Sequence, residues 1–255
     1  MHPLLAFAAL TLSLQLAGCG SAPPRAEDLQ GADVVLLGEL HDEASHQRLH
    51  RDVVQALASR GRLAALALEM AERGRSTAGL PRDADEGTVR QALNWDPKAW
   101  PWPPYAPAVM AAVGAGVPVL GANLPPGEMR AAVSDASLER TLDDAAVAAQ
   151  HEAIRAGHCD LLPQRQLLPM VRVQIARDRA MAQTVMEATQ PGKAVVLLSG
   201  AGHADLALGV PRHLPASLVV RPVLLERPAG AAARDYCAEL RQQLRRDRDG
   251  LRRAP

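Results

Sequence analysis

The feature that most constrains this chain is a motif that occurs twice. Val34-Val35-Leu36-Leu37-Gly38-Glu39-Leu40-His41 lies near the start, and Val195-Val196-Leu197-Leu198-Ser199-Gly200-Ala201-Gly202-His203 lies near the end. Each is an apolar run rich in β-branched residues, then Gly, two residues and His. The runs do not alternate apolar and polar, so they read as strands buried on both faces. The glycine is expected to let the backbone turn sharply where each strand stops. His then stands just past the carboxyl end, the edge of an open parallel sheet where ligands bind. If both motifs serve one site, their strands must be central, parallel and near-adjacent, and His41 and His203 must converge over one edge.

Two further strands end in the same way. Ala64-Ala65-Leu66-Ala67-Leu68 stops at Glu69, and Val117-Pro118-Val119-Leu120-Gly121-Ala122 stops at Asn123. Four strand ends therefore present Glu39 with His41, Glu69, Asn123 and His203. Residues 44–60 keep a helical period through Leu49, Val53, Ala56 and Leu57, which makes the opening a βαβ unit. A long excursion over 72–108 follows, and its Pro-rich part, 97–107, excludes regular helix and central strand. A short helix is expected over 106–115 and a long one over 166–189. Strand 194–199 follows, and 217–225 is expected to be an edge strand because of Pro222. The expected fold is α/β: a mainly parallel sheet flanked by helices, with a smaller all-helical subdomain at about 126–165.

At 255 residues the chain can bury one sizeable core. Its 28 basic and 28 acidic residues balance, so no global charge favours nucleic acid. Residues 4–17 are apolar, uncharged and too short for a comfortable membrane span. They lead into Leu16-Ala17-Gly18-Cys19, the small-residue signature of a bacterial lipoprotein signal peptide. The expected organisation is a signal peptide at 1–18, lipidation (palmitate) at Cys19 and a tether over 19–30. The α/β domain then spans 31–228, and a polar tail, solvated helix or frayed, spans 229–255. Gly20 after the cysteine, by analogy with lipoprotein sorting, points to the outer membrane, facing the periplasm. Cys159 and Cys237 can pair there or stay apart; the polar setting of Cys237 favours apart.

Several residues carry candidate chemistry. Glu39 and His41 alternate along an extended piece, so carboxylate and imidazole point the same way and can ligate a metal or share a proton. His46 and His50 are one helical turn apart; His46 is expected to face the site and His50 the surface. His151, His158 and His213 read as structural or exposed. Gln174, Arg177, Asp178 and Met181 share a helix face, either as a surface network or with Arg177 and Asp178 turned to the cleft. Trp95, Trp100, Trp102 and Tyr105 crowd one Pro-stiffened loop, a flat-ligand platform or a plug. A phenolate can ligate ferric haem, which gives Tyr105 a specific role.

With these residues in place, the chain resembles the ChaN family of haem-binding uptake lipoproteins, within the broader Tiki/TraB/erythromycin-esterase-like superfamily. The resemblance rests on Gly38-Glu39-Leu40-His41-Asp42 with His46, Leu68-Glu69-Met70, Leu93-Asn94-Trp95 through Tyr105-Ala106-Pro107, and Gly121-Ala122-Asn123-Leu124-Pro125. It continues through His158-Cys159, Gln174 with Arg177-Asp178, Met181-Ala182, Gly200-Ala201-Gly202-His203 and Gly209-Val210-Pro211-Arg212-His213-Leu214. The resemblance implies haem binding in iron acquisition, with Tyr105, His41, His203, Asn123 and Arg177 as cofactor-binding residues, and homodimers formed across haem. Hydrolytic members of the superfamily imply instead a metal-assisted peptidase or esterase. Its catalytic set would be Glu39, His41, Glu69 and His203, with a divalent metal on His41, His203 and Glu39. The chain departs from the family's pattern at Ala201, at Ala204-Asp205 and at Pro126. Those positions remove an amide and cations that would clamp an anion.

Overall fold

A computed structural model describes residues 28–228, 230–231 and 234–253. The expected signal peptide, Cys19 and the tether up to residue 27 lie outside the described residues. Five strands form one parallel sheet: β1 (Val34–Glu39), β2 (Leu63–Glu72), β3 (Val119–Asn123), β4 (Ala194–Gly200) and β5 (Val220–Leu224), in the order β3-β2-β4-β1-β5. The helices are α1 (Ala44–Ser59), α2 (Glu86–Ala92), α3 (Ala106–Gly114), α4 (Pro126–Ala132), α5 (Asp144–Gly157), α6 (Gln164–Glu187), α7 (Ala201–Ala204) and α8 (Tyr236–Arg253).

The apolar runs do what their lack of alternation requires. Val35 and Leu37 of β1, with Val196 and Leu198 of β4, enter a layer shared with Val53, Val54 and Leu57 of α1 and Val109 and Ala112 of α3. Val34, Leu36, Val195 and Leu197 enter the opposite layer, against Met181, Ala182 and Val185 of α6. Covering each such side chain is worth about 1.5–3 kcal/mol, so only a central position, with helices on both faces, satisfies these runs. The two motif strands are direct parallel neighbours, Val34 opposite Val195 through Glu39 opposite Gly200. Pro222 lies on β5, an edge strand, where its missing N–H costs no ladder bond on the outer side.

A third apolar cluster joins α4, the 138–142 turn, α5 and α6 through Ala132, Leu138, Leu142, Ala146, Val171 and Ile175. The segment read as helical therefore packs on α6. Among the described residues no helix is long and apolar enough to cross a membrane.

Two expectations change. Cys159 and Cys237 pair, with Cα atoms 5.5 Å apart. The polar tail is not left trailing: the hydroxyl of Tyr236, at the start of α8, hydrogen-bonds Asp42, and Arg227 just before it binds Asp42 at 2.9 Å. This anchors Cys237 beside the α5–α6 turn. The second strand also runs past Glu69 to Glu72. Its register against β3 shifts between Leu68 and Glu72, which resumes pairing opposite Asn123. That irregularity turns Glu69 out of the ladder.

Gly121 makes the shift possible, since a Cβ there would stand 2.0 Å from the Glu72 carbonyl oxygen. Gly121→Ala is therefore expected to cost about 1–3 kcal/mol or more, read as a lowered urea midpoint. An unchanged midpoint would show that β2 does not need this close approach.

Candidate functional site

The carboxyl edge of the sheet gathers two carboxylate–imidazole pairs around a third carboxylate. Glu39 ends β1 and is buried. Its Oε1 accepts from the Tyr105 hydroxyl at 2.6 Å and lies 2.6 Å from His41 Nδ1. The Gln47 amide donates to Oε2 at 3.4 Å, and His50 Nδ1 stands 3.5 Å from that oxygen. Glu69, on the irregular part of β2, takes the Arg177 guanidinium on Oε1 and the Gly200 N–H on Oε2 at 2.7 Å. Arg177 Nε donates to Asn123 Oδ1 at 3.0 Å. His203 Nδ1 is 2.6 Å from Asp178 Oδ1, and its Nε2 faces Glu69 Oε1 at 3.5 Å. The Gln174 amide lies 3.1 Å from the same Nδ1. Thus Arg177 and Asp178, adjacent on α6, both turn to the site, while Met181 packs in the core.

The two motif glycines do not turn the chain. Neither has a positive φ; both permit close approach. A Cβ at Gly38 would meet Ala204 Cβ at 2.8 Å, so Gly38 lets α7 sit on the sheet. A Cβ at Gly200 would stand 3.0 Å from His41 Nε2 and 3.7 Å from Glu69 Oε2. The motifs are also offset by one register step, Glu39 facing Gly200. After Gly38 the chain continues as strand and loop; after Gly200 it enters α7.

Electrostatics divides the site into a closed part and an open part. Burial alone would raise the Glu69 pKa, but His203, Arg177 and His41 hold it well below the usual carboxylate range. Burial would likewise lower His203, yet the carboxylates of Glu69 and Asp178 push it up to about 9. Asp178 is raised by burial against the pull of His203. These charges balance one another where water cannot reach them. His41 differs. Burial lowers its pKa, the hydrogen bond it donates to Glu39 and the charge of Glu69 outweigh this, and the net shift is upward. Its side chain is 39% exposed. Its Nε2 bonds no other described residue, and Trp100 packs edge-on against the ring, with centroids 4.8 Å apart.

Several expected site residues take other roles. Tyr105 is turned inward, 2% exposed. Burial, and then the Glu39 charge, put its phenol far above its ordinary pKa, and in this structure it is a neutral donor to Glu39. Trp95 and Trp102 plug the same loop, and only Trp100 reaches the mouth. Arg177 spends its polar atoms on Glu69 and Asn123, Asn123 Oδ1 also accepts from Leu124 N–H, and His203 is held by Asp178, Gln174 and Glu69. His50 is buried under Glu39, not on the surface; desolvation takes it down to about 4, and neither ring nitrogen has a partner. Its helical phase with Val53, Val54 and Leu57 marks that position. His46 is a backbone clasp, accepting from Leu40 N–H at 3.0 Å and donating from Nε2 to the Glu226 carbonyl at 3.0 Å. Among the described residues no group of three His, Cys, Asp or Glu side chains is placed to hold a metal ion. The expected trio of His41, His203 and Glu39 is not assembled, because Glu39 is saturated and His203 is enclosed by carboxylates.

The comparisons with known proteins agree with this architecture. The family model described as haem-binding uptake, Tiki superfamily, ChaN matches residues 25–214. A solved structure described as cofacial heme binding to ChaN of Campylobacter jejuni is 26% identical. It aligns with a TM-score of 0.62 over 76% of this chain and 82% of that one. The structure of the type III effector HopBA1 is 16% identical and aligns with a TM-score of 0.40 over 70% of each chain. No curated protein matches the chain.

The pH dependence of stability tests the closed part. His203 is raised above its ordinary 6.5, so its stabilisation is fully present below about pH 6.5 and is lost as pH rises through about 9. Urea unfolding is expected to lose a few kcal/mol over that window, and His203→Gln to flatten the loss. Glu69→Gln, which strips Arg177 and His203 of their partner, is expected to cost about 3–5 kcal/mol. A wild-type profile flat from pH 6.5 to above 9 would remove the charged pairing.

Proposed function

The chain belongs to the ChaN haem-binding uptake family of the Tiki superfamily, and on that premise we propose that it binds ferric haem in iron or haem acquisition. The observation that carries the reading is the state of His41. Glu39 takes its Nδ1–H, which fixes the tautomer, raises the basicity of the ring and leaves Nε2 as the ligating atom at the mouth. Trp100 supplies a flat apolar wall beside it. Tyr105 and Gln47 hold Glu39 in place from behind. The residues present thus fit a planar cofactor that offers an iron centre open to an axial nitrogen. Arg177 is consumed by Glu69 and Asn123, so it does not serve as a propionate clamp. The cofacial heme binding described for the Campylobacter jejuni protein supports a homodimer formed across haem.

We also propose that the mature protein is lipid-anchored through Cys19 in the outer membrane, facing the periplasm. Support comes from the apolar 4–17 stretch, the Leu16-Ala17-Gly18-Cys19 signature and Gly20. The Cys159–Cys237 disulfide also favours an oxidising compartment.

Titration of the mature protein with ferric haem is expected to give a saturable Soret shift that His41→Ala abolishes or moves. Tyr105→Phe should keep the band position. Affinity should fall as pH drops through the raised His41 titration, since a proton on Nε2 competes with the iron. No saturable shift in the wild type would end the haem reading; an unchanged band in His41→Ala would end only the ligand assignment.

Labelled palmitate is expected to enter the wild type expressed in bacteria, and Cys19→Ser to be unlabelled and released from membranes. Labelling of Cys19→Ser equal to the wild type would refute the anchor.

A further inference from the structure

On the side of α6 away from His41, a cleft of about 600 Å³ opens between α4, α6 and the 210–213 turn. Its floor is apolar, formed by Leu124, Leu138, Ala180 and Met186. Three basic side chains line it: Arg73, Arg179 and His213. Arg73 is occupied, because it bonds Gln183 and pairs with Glu128 at 2.7 Å, which neutralises the one carboxylate in the wall. Arg179 forms no hydrogen bond or ion pair with another described residue and acts on Asp135 only through space. His213 Nε2 is buried and has no hydrogen-bond partner among the described residues.

An unsatisfied buried nitrogen costs about 1–3 kcal/mol, and it lies in the same cleft as an uncommitted guanidinium. Both ask for an acceptor, and the surrounding surface asks for an apolar body. We propose that this cleft binds an amphiphilic carboxylate, with the carboxylate on Arg179, the apolar part on Leu124, Leu138 and Met186, and a turn of the His213 ring bringing its now covered Nε2–H to the same carboxylate. A carboxylate would select the tautomer with hydrogen on Nε2. The volume lies within the range of small-molecule sites. Fatty acids and porphyrin propionates share this chemistry. The site is separate from the His41 mouth, so its occupancy does not depend on the haem reading there.

Calorimetric titration with laurate, below its micelle concentration, and with metal-free protoporphyrin IX distinguishes the two sources. Saturable 1:1 binding of at least one probe is expected. Arg179→Glu should weaken it at least about tenfold, the loss of one charge-assisted hydrogen bond. Met186→Trp should block the cleft, with circular dichroism melts checking that both variants fold. Arg179→Glu should leave the ferric-haem Soret titration at His41 unchanged. Binding of one probe alone supports the site and names its ligand class. Absence of saturable binding by both probes, or wild-type affinity in either folded variant, would overturn it.

Discussion

A buried carboxylate, Glu69, ties the architecture together. Removing such a charge from water costs several kcal/mol unless every lone pair is answered. Here the answers come from different parts of the chain: an N–H from Gly200 where β4 ends, a guanidinium from α6 and an imidazole from α7. None of these partners is within reach until the sheet has formed and α6 has docked. The ladder must also release Glu69, which the register shift between Leu68 and Glu72 accomplishes and the bare Gly121 allows. Strand order, helix docking and the site are therefore conditions for one another.

The same logic separates the two halves of the edge. In the Asp178–His203–Glu69–Arg177 chain each charge faces an opposite one and only the guanidinium reaches solvent, so the group spends its hydrogen bonds on holding itself together. The Glu39–His41 pair is built differently. Its carboxylate is buried and saturated, but its imidazole reaches the surface with one nitrogen uncommitted. A site that presents a single oriented donor beside an aromatic wall is suited to holding a ligand. Tyr105, buried behind Glu39, contributes by donating its hydroxyl to that carboxylate and holding it in place.

The walls of the mouth come from segments distant in sequence. Arg227, just after β5, joins Asp42 and Glu43 of the β1–α1 loop, with Tyr236 on the same aspartate. The Cys159–Cys237 disulfide fastens the start of α8 to the α5–α6 turn. The loop that carries His41 is thus held from outside by the C-terminal region and from below by His46.

Sequence alone determined the parallel α/β class, the central position of the two motif strands and the edge position of the strand with Pro222, because burial on both faces and a missing N–H each leave one solution; that the two motif strands are direct neighbours was decided by the tertiary structure. It also placed Glu39, His41, Glu69, Asn123 and His203 at strand ends, where topology brings them together. The partners of these groups were decided only by tertiary structure. That Tyr105 turns inward, that His203 is enclosed by two carboxylates, that His50 lies beneath Glu39 and that Cys237 meets Cys159 all depend on how loops and helices pack across the sheet edge. Local pattern encodes which face of an element is apolar. Which charge answers which is settled by three-dimensional proximity, and in a dry interior that proximity sets both the protonation of a group and its use.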